Sequence, residues 1–189
     1  MNYITFDIET YSPSNSKKID TNEFRVSVVG AYYSWLDKYI AFMEDDVKAF
    51  LESLKDADLV VGYNHIWFDL PVLQKYATFD LKQLTNYDLM LEFEKKAGFK
   101  AKLNDLCIAN LGTEKTDSYE TYSTYHLEGK WSELIDYCLN DVRLTEELFQ
   151  MVQRGEKIRY NDALDTKEFI LTQPTGKKIV LEAQPDSIF

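Results

Sequence analysis

A chain of 189 residues, 45% of them hydrophobic, can fill one core and does not demand a second, and no window approaches the ~20 apolar residues of a membrane span. With 32 acidic against 21 basic residues the net charge is -11, which disfavours tracking along nucleic acid by charge alone but leaves open a small, cation-bridged contact. Met1 leads straight into a strand-like run without a basic or apolar leader, so a soluble cytoplasmic protein is expected, and the two distant cysteines, Cys107 and Cys138, read as reduced core thiols.

Tyr3-Ile4-Thr5-Phe6 is β-branched and aromatic and predicts a central strand, which runs into Asp7 and Glu9. Side chains alternate along a strand, so these two carboxylates share one face and one small space. Like charges at such range resist joint ionisation. Either one acid takes a proton, or a cation sits between them, or the strand simply ends in a polar loop. Carboxylate oxygens suit Mg²⁺ and Mn²⁺. The polar run from Tyr11 to Lys18, with Pro13, reads as a loop. Phe24 to Tyr33 and Tyr39 to Met43 predict a hairpin turning at Leu36-Asp37-Lys38. Asp45 or Asp46 then caps a helix carrying Val47, Phe50, Leu51 and Leu54, and Leu59 to Gly62 reads as a buried strand reached by a crossover. Strands and helices in this order imply an α/β fold with a mixed sheet.

Gly62 and Asn64 permit a sharp exit from that strand, and a helix with Leu70, Val72, Leu73 and Tyr76 starts at Phe68 or Asp69. Read alone, Asp69 is a helix cap before it is anything else. Thr85 to Met90 predicts a brief strand or turn in which Asp88 suits a cap or a supporting group better than a metal ligand. Lys95, Lys96, Lys100 and Lys102 form a local basic patch, fit either to steer a phosphate backbone or to solvate a helix end. Lys102 to Gly112 is a helix with Leu103, Leu106, Cys107 and Leu111 on one face, followed by a polar loop. Trp131 to Val152 is the longest helix, burying Leu134, Ile135, Cys138, Val142 and Leu148. Tyr137 and Asp141 stand four apart on one face of it, as a core tyrosine beside a surface acid or as a pair with a shared task. Beyond Gly155 come short β segments at Lys157 to Tyr160, Glu168 to Thr172 and Lys178 to Glu182, the last two joined by a turn at residues 173–176. The expected division is a main domain over residues 1–155 and a β-rich appendage over 156–189.

Four acids in separate segments fall into order: Asp7 and Glu9 in Phe-Asp-Ile-Glu-Thr, Asp69 in Gly-Tyr-Asn-x-x-x-Phe-Asp, and Asp141 in Tyr-Cys-Leu-Asn-Asp. This pattern resembles the DEDDy group of 3′-to-5′ exonucleases, which have four metal-binding acids, a catalytic tyrosine and a ribonuclease H-like fold. It is most similar to the proofreading domain of family B DNA polymerases, which also carries a Lys-Leu-Asn helix running to Leu-Gly and a following lysine, as Lys102-Leu103-Asn104, Leu111-Gly112 and Lys115 do here. The likeness spans roughly residues 3 to 150, and three spaced motifs together are far more specific than any one.

The resemblance implies a ribonuclease H-like mixed sheet flanked by helices, with Asp7, Glu9, Asp69 and Asp141 holding two Mg²⁺ or Mn²⁺ ions and Tyr137 orienting the attacking water. Relatives that use histidine place it five residues before the last acid, where this chain has Asp136. Thr10 and Asn64 match contacts to the terminal nucleotide and near the scissile phosphate, and Phe68 is either a base-stacking aromatic or plain core. His65 reads as structural. The implied activity is a stand-alone exonuclease shortening single-stranded or frayed DNA from the 3′ end to nucleoside monophosphates. An RNA exonuclease or an inactive binding module of the same fold are the alternatives. The last six residues, Gln184-Pro-Asp-Ser-Ile-Phe189, are similar to the short peptides that bind bacterial sliding clamps, with Gln184, Ile188 and Phe189 as contacts; a packed or free tail is the competing expectation.

Overall fold

A computed structural model describes residues 1–12, 21–113 and 119–176, with the side chains of 119–123 set aside. β1 (Tyr3–Tyr11) is the middle strand of a five-stranded sheet. On one side it pairs antiparallel with β2 (Arg25–Tyr33), which pairs antiparallel with β3 (Lys38–Met43). On the other it pairs parallel with β4 (Leu59–Gly62), which pairs parallel with β5 (Asn86–Asp88). The mixed sheet expected from the order of elements is present, with β1 buried on both faces.

The alternation along β1 decides what each face meets. Ile4, Phe6 and Ile8 pack with Val47, Phe50 and Leu51 of α1 (Val47–Ser53) and Leu70, Val72 and Leu73 of α2 (Asp69–Leu73). Tyr3 and Thr5 point the other way, onto α6 (Trp131–Gln153), where both hydroxyls donate to Glu146, at 2.7 and 2.6 Å. Farther along, the Cys138 thiol of α6 reaches the Asp7 carbonyl oxygen at 3.5 Å. The helix therefore runs back along the strand. Eight helical residues rise about 12 Å and four extended ones about 13 Å, so the turn of α6 around Cys138 and Asp141 comes level with Asp7 and Glu9.

α3 (Leu89–Ala97) is capped by Asp88, whose carboxylate accepts the Met90 and Leu91 amides, and it ends at Gly98 in the left-handed conformation. The expected cap at Asp45 or Asp46 is not made: a 3₁₀ turn over Glu44–Asp46 winds directly into α1, and neither acid bonds its first amides. α4 (Leu103–Leu111) follows as expected, but α5 (Tyr119–Glu128) occupies part of the stretch expected to be a polar loop. Its few apolar residues are not gathered on one side, so the sequence carries little helical period there.

β6 (Ile158–Asn161) and β7 (Thr166–Phe169) form a separate antiparallel pair through a turn at residues 162–165. The hairpin thus joins the first two predicted β segments. The turn acids stabilise that choice: Asp162 and Asp165 accept the Ala163 and Thr166 amides. The third predicted segment, Lys178 to Glu182, lies outside the described residues, as do Lys115 and the tail with Gln184, Ile188 and Phe189. Ile158 and Leu171 enter the same core cluster as Phe149 and Leu106, and Asn110 of α4 bonds the Arg159 backbone in both directions. Among the described residues no helix is long and apolar enough to cross a membrane.

Candidate active site

Asp7 and Glu9 lie on the α6 face near the end of β1, Asp7 half-buried and Glu9 buried. One ligand atom each from Asp7, Glu9 and Cys138 lie within 4.8 Å of one another. Burial pushes the Cys138 thiol well up, and the charges of Asp7, Glu9 and Asp141 push it in the same direction. The donors beside that one thiol are carboxylate oxygens, a set that fits a hard divalent cation better than zinc, whose structural sites gather several thiolates or imidazoles. Asp141, buried on α6, belongs to the same electrostatic neighbourhood through Cys138, and Tyr137 is buried one residue before that thiol.

A close approach makes this possible. Gly30 pairs with Asp7 across the β1–β2 ladder, and a Cβ on it would stand 3.0 Å from Cys138 Sγ, 3.1 Å from Val142 and 3.2 Å from Leu139. The absent side chain lets α6 settle onto the strand pair beside the two acids.

Asp69 arrives from the loop after β4. It is buried at the first position of α2, and instead of capping that helix it accepts the Ile8 amide at 3.2 Å, between the two β1 acids in sequence. Burial raises its pKa to about 7, against the bonds from its own amide and that of Ile8, with the Asp88 charge raising it further. Asp88 fixes the loop. Besides capping α3 it accepts the amides of Asn64 at 2.9 Å and Ile66 at 3.2 Å. Asn64 takes the left-handed conformation with φ of 62°. His65 is fully buried, bonded to Asn86 Oδ1 at 3.0 Å, with its other nitrogen 3.5 Å from Asp88. The structural role expected of this histidine is the one it has. Phe68 is half-buried, edge-on to Phe24.

Thr10, half-buried, sits at a break in register: Glu9 pairs with Val28 and Thr10 with Val26, leaving Ser27 as the extra residue of a bulge. Ser27 Oγ lies 2.9 Å from His126 Nδ1, the His126 ring stacks on Tyr11 with centroids 4.1 Å apart, and Trp131 meets it edge-on. Sequence reasoning missed this cluster, because its members are spread over β1, β2, α5 and α6 and no local pattern joins them. It also missed Glu146, whose only sequence signal was a charge on the apolar side of α6. Of the basic patch, Lys95 and Lys96 lie in the last turn of α3, where cations complement the helix dipole, and Lys95 pairs with Glu92.

The sheet order, the crossing helix and the carboxylates gathered at one end of β1 define a nuclease-type fold. A family model described as RNase_H superfamily matches residues 4–153. The chain belongs to that superfamily, whose nucleases usually use divalent metals. Among solved structures it is similar to the family B DNA polymerase from the hyperthermophilic archaeon Pyrobaculum calidifontis, with a TM-score of 0.61 and 19% identity over 80% of this chain. The match takes in 24% of that polymerase chain, and at this identity the likeness is one of fold. No curated protein sequence matches the chain. The superfamily match ends before the tail, so it offers no support for a clamp contact.

Proposed function

We propose that this chain is a 3′-to-5′ exonuclease that hydrolyses DNA, from single strands or frayed ends, to nucleoside monophosphates, and that needs no polymerase domain for the reaction. What supports this reading is the approach of three elements: Asp7 and Glu9 on β1 stand beside Cys138 of the helix held against Gly30, Asp141 acts on that same thiol, and Asp69 bonds the Ile8 amide between the two β1 acids.

In this reading Asp7, Glu9, Asp69 and Asp141 hold two Mg²⁺ or Mn²⁺ ions. When bound, such ions supply a hydroxide nucleophile at neutral pH and stabilise the leaving 3′ oxygen. The chain supplies the rest. Tyr137 offers a phenol hydroxyl to orient the attacking water, acting as a hydrogen-bond guide more than as a base. Thr10 at the bulge and Asn64 in the fixed loop hold the terminal nucleotide and the scissile phosphate. Phe68, packed on Phe24, gives the terminal base an aromatic wall.

The test is degradation of 5′-labelled DNA and RNA oligonucleotides side by side, with Mg²⁺, with Mn²⁺ and with chelator. A ladder shortening from the 3′ end on DNA, dependent on metal, is the expected outcome. Preference for RNA would move the substrate to the other sugar, and binding without cleavage would make the chain an inactive module of the same fold.

A further inference from the structure

Two tryptophans stand in the open on either side of the acids. Trp67 is 63% exposed, in the loop between β4 and α2, while its neighbours Phe68 and Asp69 turn inward. This loop is pinned: the Asp88 carboxylate takes the Asn64 and Ile66 amides, and Trp67 N–H donates to the Asn64 carbonyl oxygen at 3.3 Å. Trp131 is 41% exposed at the first turn of α6, set edge-on against His126, which is itself stacked on Tyr11. Between Trp131, His126 and Ser27 opens a cavity of about 160 Å³ that Glu44 and Asp45 also line.

The topology places the two tryptophans on opposite flanks. β1 and β4 run parallel and β2 antiparallel, so the ends of β1 and β4 and the start of β2 share one edge of the sheet, in the order β2-β1-β4. Trp131 stands by the start of β2 and Trp67 beyond the end of β4, with Asp7 and Glu9 on the strand between them.

We propose that Trp67 and Trp131 are two stacking platforms for unpaired nucleobases, Trp67 beside the terminal nucleotide and Trp131 upstream of the scissile phosphate, so that a single strand crosses this edge of the sheet past the acids. The inference rests on the exonuclease reading and adds the residues that select a single strand. A large aromatic face left in water beside an anionic site gains by covering a base, and stacking tolerates any base because each has a π face. Paired bases have no free face to offer. The carboxylates of Glu44 and Asp45 repel phosphate, so the cavity beside Trp131 takes a base and accepts hydrogen bonds from its N–H groups. In a chain with net charge -11, stacking supplies the hold that backbone charge contacts supply elsewhere.

Binding of a fluorescent oligothymidylate is measured on the Asp7→Asn background, which keeps the strand intact. Trp67→Ala and Trp131→Ala are each expected to weaken it about tenfold, the loss of one stacked base, while Trp67→Phe keeps most of the affinity. Duplex of the same length should bind more weakly than the single strand and change little with these substitutions. In otherwise unaltered protein, hydrolysis of the p-nitrophenyl ester of thymidine 5′-monophosphate, which has no upstream base, should be unaffected by Trp131→Ala. Single-strand binding unchanged by both alanine variants, or a loss at Trp67 that phenylalanine does not restore, overturns the inference and leaves the nuclease reading standing. A chain that neither binds nor cuts any oligonucleotide removes both, and that result appears before any tryptophan is changed.

Discussion

Burial of acids in this chain takes two forms, and each has its own consequence. At the end of β1 the carboxylates face one another and a polar rim, whereas Glu146 lies 1% exposed under Tyr3, Thr5 and Gln150, all of which donate to it. Burial still pushes the Glu146 carboxyl up, against those three bonds. The nearby Tyr32 and Tyr39 phenols are in turn raised to about 12, by burial first and by the Glu146 charge among lesser causes. Since the folded chain holds the Glu146 proton more tightly than the unfolded one, its contribution to stability is full below the ordinary glutamate range and is lost as pH rises through the folded value. Glu146→Gln removes that loss. Its melting temperature relative to the unaltered protein, measured with chelator, should climb as pH rises above the ordinary glutamate range, and a constant difference would contradict a raised carboxyl. Tyr137 belongs to the other group. Tyr137→Phe should leave metal and strand binding intact and slow single-turnover cleavage by about 10²-fold, and a loss of affinity at unchanged rate would make it a binding residue instead.

Among the elements, the strand pair and α6 set the geometry, and Gly30 sets their separation. Gly30→Ala forces a Cβ to within 3.0 Å of the Cys138 sulfur, so the helix must lift by a few tenths of an ångström. Overpacking of this kind costs about 1–3 kcal/mol in urea unfolding. It should also lower the cleavage rate tenfold or more, because it displaces Asp141 and Tyr137 together. Normal rates in a destabilised Gly30→Ala protein would show that the helix position is not critical to the chemistry. The main elements were legible because their signals are local: alternation in β1, a continuous apolar run in β4, helical period in α6. Asp88 was legible as a cap for the same reason. Its second task was not, since the amides of Asn64 and Ile66 lie more than twenty residues away in sequence. α5 carries no apolar stripe, and the turn that pairs β6 with β7, at residues 162–165, has no glycine or proline to announce it. The four acids were legible as an ordered set; that Asp69 bonds β1 rather than capping its own helix follows only from the crossover that brings β4 beside β1.

For the molecule as a whole, a net charge of -11 and an acid cluster at the end of the central strand point to a chain that holds nucleic acid over a small area. Everything proposed for Tyr137, Thr10, Asn64 and the two tryptophans depends on hydrolysis occurring at that cluster. The most direct measurement is cleavage of a 5′-labelled single-stranded DNA in Mg²⁺ by the unaltered chain, by Asp7→Asn and by Asp141→Asn, with thermal melts of all three in chelator. The expected result is a 3′-shortening ladder from the unaltered chain only, with both variants folded and melting no lower, since each relieves repulsion among crowded carboxylates. Undiminished cleavage by either folded variant, or cleavage by the unaltered chain that survives the chelator, would contradict the site.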